Sequence, residues 1–88
     1  MLQDYDFDIL KIDMSFIRKM EENPKTKSIV RNIIGMAHEM DIETVAEGVE
    51  TEEQVRFLKQ SGCDYIQGYY CARPLPLDEY EKILKLKK

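Results

Sequence analysis

Thr44-Val45-Ala46-Glu47-Gly48-Val49-Glu50-Thr51-Glu52-Glu53-Gln54 sets a strand, a turn and a helix start side by side. Thr44 to Glu47 favours an extended chain, and Gly48 ends it. Thr51 followed three residues later by Gln54 is a capping box, in which the hydroxyl and the amide each satisfy an orphan backbone N–H. The helix opened there buries Val55, Leu58 and Phe57, and Gly62 suits the position just past its end. A strand that runs through a short loop into a capped helix is one βα unit.

The flanking sequence repeats that order. Upstream, Asp8-Ile9-Leu10-Lys11-Ile12-Asp13 alternates, with Leu10 and Ile12 on one face and Ile9, Lys11 and Asp13 on the other. Phe16 and Ile17 fall in a short turn of helix. Asn23-Pro24 marks a boundary, with Pro24 suited to a first helical position. A helix is predicted from about Thr26 to Met40, with Ile29, Ile33 and Ala37 stacked at i, i+4, i+8 and flanked by Val30, Ile34 and Met40. Downstream, Tyr65 to Tyr70 reads as a third strand and Arg73-Pro74-Leu75-Pro76 as a rigid connection. A last helix runs from near Leu77 to Lys87 with Tyr80, Ile83 and Leu84 as its apolar stripe. The alternation predicts an α/β fold of three parallel strands, each followed by a helix. Such units form either a small open sheet or part of a (β/α)8 barrel.

The 88 residues are 43% hydrophobic and 34% charged, enough for one small core and one domain, residues 1–88. A net charge of −4 argues against DNA, RNA or an anionic membrane as partner. The basic tail of Lys85, Lys87 and Lys88 reads as a solvated helix end. Cys63 and Cys71 form no CxxC pair and read as packing residues of a reduced, cytoplasmic protein. No apolar run approaches the ~20 residues of a membrane helix. His38 has no ligand partner nearby in sequence, and the methionines suit gap filling. Met1 runs almost directly into an apolar segment, as expected of a piece cut from something larger.

Polar side chains gather where each predicted strand ends: Lys11 and Asp13, then Glu47 and Glu50, then Gln67. Two residues earlier on the same face stand Ile9, Val45 and Tyr65, so this face is apolar below and polar above. Parallel α/β folds place their sites at these strand ends. The groups suit metal-assisted attack on a phosphoester, since carboxylates hold Mg²⁺ or Mn²⁺ and lysine offsets charge on phosphate oxygens. Each of them also has a plain structural reading as a solvated strand end or helix start.

Asp8 to Ile17 resembles the D-x-L-K-I-D-x-S-F-I segment of EAL-type cyclic-di-GMP phosphodiesterases. Val45 to Thr51 resembles that family's V-A-E-G-V-E-T loop. Gly62-Cys63-Asp64, Gln67-Gly68-Tyr69-Tyr70 and Arg73-Pro74-Leu75 resemble its G-C-D, Q-G-Y-Y and R-P-L ending. The resemblance implies the C-terminal portion of a modified TIM barrel that hydrolyses cyclic di-GMP to linear pGpG with Mg²⁺ or Mn²⁺ in the bacterial cytoplasm. It places Lys11 at the lysine that assists the attacking water and Glu47 at the glutamate acting near the metal, as ligand or base. Glu50 matches a glutamate that supports the loop and the metal, Asp13 belongs to the same motif set, and Gln67 matches a glutamine near substrate. The Glu-Ala-Leu segment, a metal-binding asparagine, a further glutamate and the D-D-F-G aspartates have no counterpart here. The 88-residue chain is therefore expected to be inactive alone and to bind metal unstably. Exposed sheet edges or an uncovered barrel interior, with Ile9, Val45 and Tyr65 facing water, should make it a homo-oligomer. The alternative is a degenerate cyclic-di-GMP receptor or interaction module without catalysis.

Overall fold

A computed structural model describes residues 8–68 and 71–86. Its elements are β1 (Ile9–Ile12), α1 (Met14–Glu22), α2 (Pro24–Glu39), β2 (Glu43–Val49), α3 (Glu52–Ser61), β3 (Tyr65–Gly68), β4 (Cys71–Pro76) and α4 (Leu77–Leu86). They build one sheet in the order β1-β2-β3-β4. β1, β2 and β3 run parallel, as the alternation predicts. The expected positions of Tyr69, Tyr70 and Lys87 lie outside the described residues.

β4 corrects the expected rigid connection. Arg73-Pro74-Leu75-Pro76 is strand, antiparallel to β3, with Ile66 opposite Leu75 and Tyr65 opposite Pro76. The prolines argue against a strand only where both sides of the backbone must hydrogen-bond. At the edge of a sheet one side is left over, and proline is tolerated there. The sheet is therefore mixed, not wholly parallel.

Two helices also depart from expectation. The short turn around Phe16 and Ile17 is a nine-residue helix, α1, capped by Asp13. In α2, which begins at Pro24, the buried row is Thr26, Val30, Ile34 and Ala37. Ile29, at 47% exposure, and Met40 lie outside it. Two neighbouring apolar rows run along this helix, and periodicity alone does not say which one meets the sheet. α3 carries the capping box at Thr51 and Gln54, and Gly62 ends it in the left-handed conformation at φ 96°.

The core lies on one face of the sheet. Ile12, Ala46 and Ile66 are neighbours in register across β1, β2 and β3, and all are buried. Ile17, Val30, Ile34, Leu58, Tyr80 and Leu84 cover them from the helices. Cys63 is buried in the same core, and burial pushes its thiol pKa up, so it stays protonated as a packing residue. The opposite face carries Lys11, Val45 and Tyr65 in register. Of the residues expected to face water there, Ile9 is 54% exposed and Tyr65 half-buried, but Val45 is buried. Val45 sits on a central strand between two long side chains, so the sheet itself provides its shelter.

Asp64 staples the bottoms of β2 and β3 together. Its Oδ2 accepts from the Thr44 backbone N–H at 3.0 Å and the Thr44 hydroxyl at 3.3 Å, while its own N–H donates to Thr44 Oγ1 at 3.1 Å. Thr44 is buried, so losing the carboxylate strands polar groups away from water. Asp64→Ala is expected to lower unfolding free energy by about 2 kcal/mol, read from the urea midpoint; an unchanged midpoint would contradict this assignment.

Candidate functional site

The sequence of β2 decides the site, because its end lies between those of β1 and β3. Val45 pairs in register with Lys11 on one side and Tyr65 on the other, and Glu47 pairs with Gln67. Register partners on parallel strands point to the same face, and so do residues two apart. Lys11, Glu47 and Gln67 therefore share the face opposite the core. Lys11 Nζ stands 4.0 Å from Glu47 Oε2, with side chains 63% and 29% exposed. So exposed a pair adds at most about 1 kcal/mol to stability. Its consequence is chemical: a cation and a carboxylate are held together at the strand ends.

Beyond them opens a cleft of about 400 Å³ lined by Met14, Arg18, Glu47, Gly48, Glu50, Gln67 and Gly68. Two glycines shape it. Gly48, expected to end the strand, lies within the last residues of β2 at an irregularity in its register. It has φ 74°, and a Cβ there would stand 2.5 Å from Met14 Cβ, so the first turn of α1 rests directly on the end of β2. At Gly68 a Cβ would collide with the Val49 carbonyl and the Tyr80 hydroxyl. Tyr80 donates that hydroxyl to Val49 O at 2.7 Å from a fully buried ring. Only bare backbone lets β2, β3 and α4 meet beside Gln67.

The capping box does more than start α3. Gln54 Oε1 accepts from the N–H groups of Thr51 at 3.1 Å and Glu50 at 2.7 Å. Gln54 Nε2 donates to Glu21 Oε1 at 2.7 Å, tying α1 to the same loop. The backbone of Glu50 is thereby fixed while its side chain lines the cleft.

The predicted residues fall into two groups. Lys11, Glu47 and Gln67 converge on one face, and Glu50 joins Glu47 and Gln67 in the cleft wall. Asp13 stands apart. Its Oδ2 accepts from the Ser15 N–H at 3.0 Å and the Ser15 hydroxyl at 2.6 Å, which hold its pKa below the usual carboxylate value. It serves here as the cap of α1. Arg18 was not legible as a cleft residue, because its place depends on residues 14–22 being helical, which sets it one turn after Met14.

As for a metal, Glu47 and Glu50 are the carboxylates in the cleft wall. Among the described residues no group of three or more His, Cys, Asp or Glu could hold an ion. Mg²⁺ asks for near-octahedral oxygen coordination, so two carboxylates do not make its site.

An α/β sheet with a polar cleft at its parallel strand ends is the arrangement of open α/β sheets and of portions of (β/α)8 barrels. The EAL domain family matches residues 1–74, and the chain belongs to that family. The probable cyclic di-GMP phosphodiesterase PdeN of Escherichia coli K12 is 40% identical over 84 residues, covering 96% of this chain and 16% of that protein. Among solved structures, the EAL domain protein of Listeria monocytogenes EGD-e superposes with a TM-score of 0.68 at 42% identity, over 90% of this chain and 32% of that one. The PaMucR phosphodiesterase, solved in complex with c-di-GMP, gives a TM-score of 0.69 at 37% identity, over 83% of this chain and 30% of that one. The fold is accordingly that of part of a TIM-type barrel, and the chain spans well under half the length of these relatives.

Proposed function

We propose that residues 1–88 form the C-terminal portion of an EAL domain, a single partial domain, and contribute one wall of a cyclic-di-GMP phosphodiesterase site. The observation that carries this is the convergence of Lys11, Glu47 and Gln67 on one face, with Lys11 Nζ 4.0 Å from Glu47 Oε2. Lys11 offsets charge developing on the phosphate and orients the attacking water. Glu47 accepts a proton or holds the electropositive partner of that water. Gln67, which donates and accepts, positions the substrate. Glu50 supports the end of β2 just beyond Glu47. In the intact domain Glu47 would help to hold Mg²⁺ or Mn²⁺, which would polarise the phosphate and activate the attacking water. A bacterial cytoplasmic setting goes with that substrate, and no helix among the described residues is long and apolar enough to cross a membrane.

The chain taken by itself suits weak binding better than turnover, because among the described residues two carboxylates, Glu47 and Glu50, line the cleft. It also suits self-association. β1 is an edge strand whose own Ile9 is exposed, and Ile29 and Met36 on α2 and Met40 at its C-cap are exposed as well.

The purified chain with Mn²⁺ and cyclic di-GMP is expected to give no linear dinucleotide above a metal-only control. Clear turnover would overturn the assignment of a partial site.

A further inference from the structure

We propose that Arg18 is a phosphate-binding residue of the cleft, contacting a phosphodiester of the bound cyclic dinucleotide. This rests on the reading of the cleft as a cyclic-dinucleotide site.

The argument starts with charge. Glu47 and Glu50 both line the cleft, and their carboxylates repel a phosphodiester. Arg18 is the cation in that wall, whereas Lys11 stands outside the lining and faces Glu47. Among the described residues Arg18 makes no ion pair, so no described carboxylate consumes its charge. A guanidinium offers paired planar donors that match two phosphate oxygens, which a lysine ammonium does not.

Geometry supplies the second line. α1 is fixed on both sides of Arg18. At its start, Met14 rests against Gly48, and at its end Glu21 accepts from Gln54 Nε2 at 2.7 Å. Between them Ile17 and Met20 are buried in the core. Helical spacing then sets Arg18 above Met14, toward the cleft, with little freedom for its Cα. The glycine, the capping box and the core residues thus hold the Cα of Arg18 beside the wall that carries Glu47, within reach of its guanidinium.

The test is titration of the 88-residue chain with cyclic di-GMP, followed by amide chemical shifts, for the parent, Arg18→Gln and Arg18→Lys. Guanosine serves as the phosphate-free probe. The parent is expected to bind weakly, with shifts at Glu47, Gly48 and Gln67. Arg18→Gln should weaken the dinucleotide about tenfold or more, the range for one charge-assisted hydrogen-bonding group, and leave guanosine unchanged. Arg18→Lys should fall between them, and the salt dependence of binding should flatten in Arg18→Gln. Arg18 is exposed, so thermal midpoints should agree across the three. Equal dinucleotide affinity in the parent and Arg18→Gln would overturn the role of Arg18 and spare the cleft. An equal loss for guanosine, or a lowered midpoint in Arg18→Gln, would also overturn it. A parent chain that shows no shifts at millimolar dinucleotide would overturn the cleft itself, and Arg18's role with it.

Discussion

Gly48→Ala is expected to destabilise the chain by about 2–4 kcal/mol, while the same substitution at Gly35 is expected to stabilise it by about 0.5–1 kcal/mol. The two glycines differ in backbone and in surroundings. Gly48 sits at φ 74°, where an L side chain is strained, and its new methyl would stand 2.5 Å from Met14 Cβ. Neither atom is the far end of a flexible chain, so relief requires α1 to move off the end of β2. Gly35 lies inside α2, and a Cβ there meets nothing within 4 Å. Alanine at Gly35 removes the entropy cost of a helical glycine with no steric penalty. Urea denaturation of both variants checks the pair. Opposite signs are expected, and a neutral Gly48→Ala would show that the close approach of α1 to the end of β2 is not real.

The second large effect concerns chemistry. In an intact EAL domain that carries this segment, Glu47→Gln is expected to reduce hydrolysis of cyclic di-GMP about a thousandfold, with much less effect on binding. The substitution keeps size and hydrogen-bonding capacity but removes the charge that faces Lys11 Nζ at 4.0 Å. Glutamine cannot take the proton of an attacking water. A fall confined to affinity, with turnover intact, would assign Glu47 to substrate contact instead. Initial rates and equilibrium binding, measured side by side, separate the two.

Local chemistry in the sequence specifies most of the strands and the start of α3, while tertiary position decides the rest. The strands showed because β-favouring alternation and polar strand ends repeat, and the α3 start because a capping box is a local chemical device. Face assignment on β1, β2 and β3 follows from parity alone, which puts Lys11, Glu47 and Gln67 on one face. Periodicity does not single out the buried row of α2, because Ile29, Ile33 and Met40 are as apolar as Val30 and Ile34. Only contact with the sheet distinguishes them. β4 was missed because proline forbids a strand in the middle of a sheet but not at its edge, and position in the sheet is a tertiary property. Arg18 and the Glu21–Gln54 link were invisible for a related reason. Each joins residues far apart in sequence, or depends on a helix whose length Phe16 and Ile17 alone did not reveal.

The central claim is that this one sheet face completes a phosphodiesterase site when the remaining strands are present. The most direct measurement grafts residues 8–86 in place of the matching segment of an active EAL phosphodiesterase and follows linear dinucleotide formation from cyclic di-GMP. The account predicts a folded hybrid that turns substrate over, with activity abolished by Glu47→Gln. A hybrid that folds and binds the dinucleotide but yields no product would contradict it.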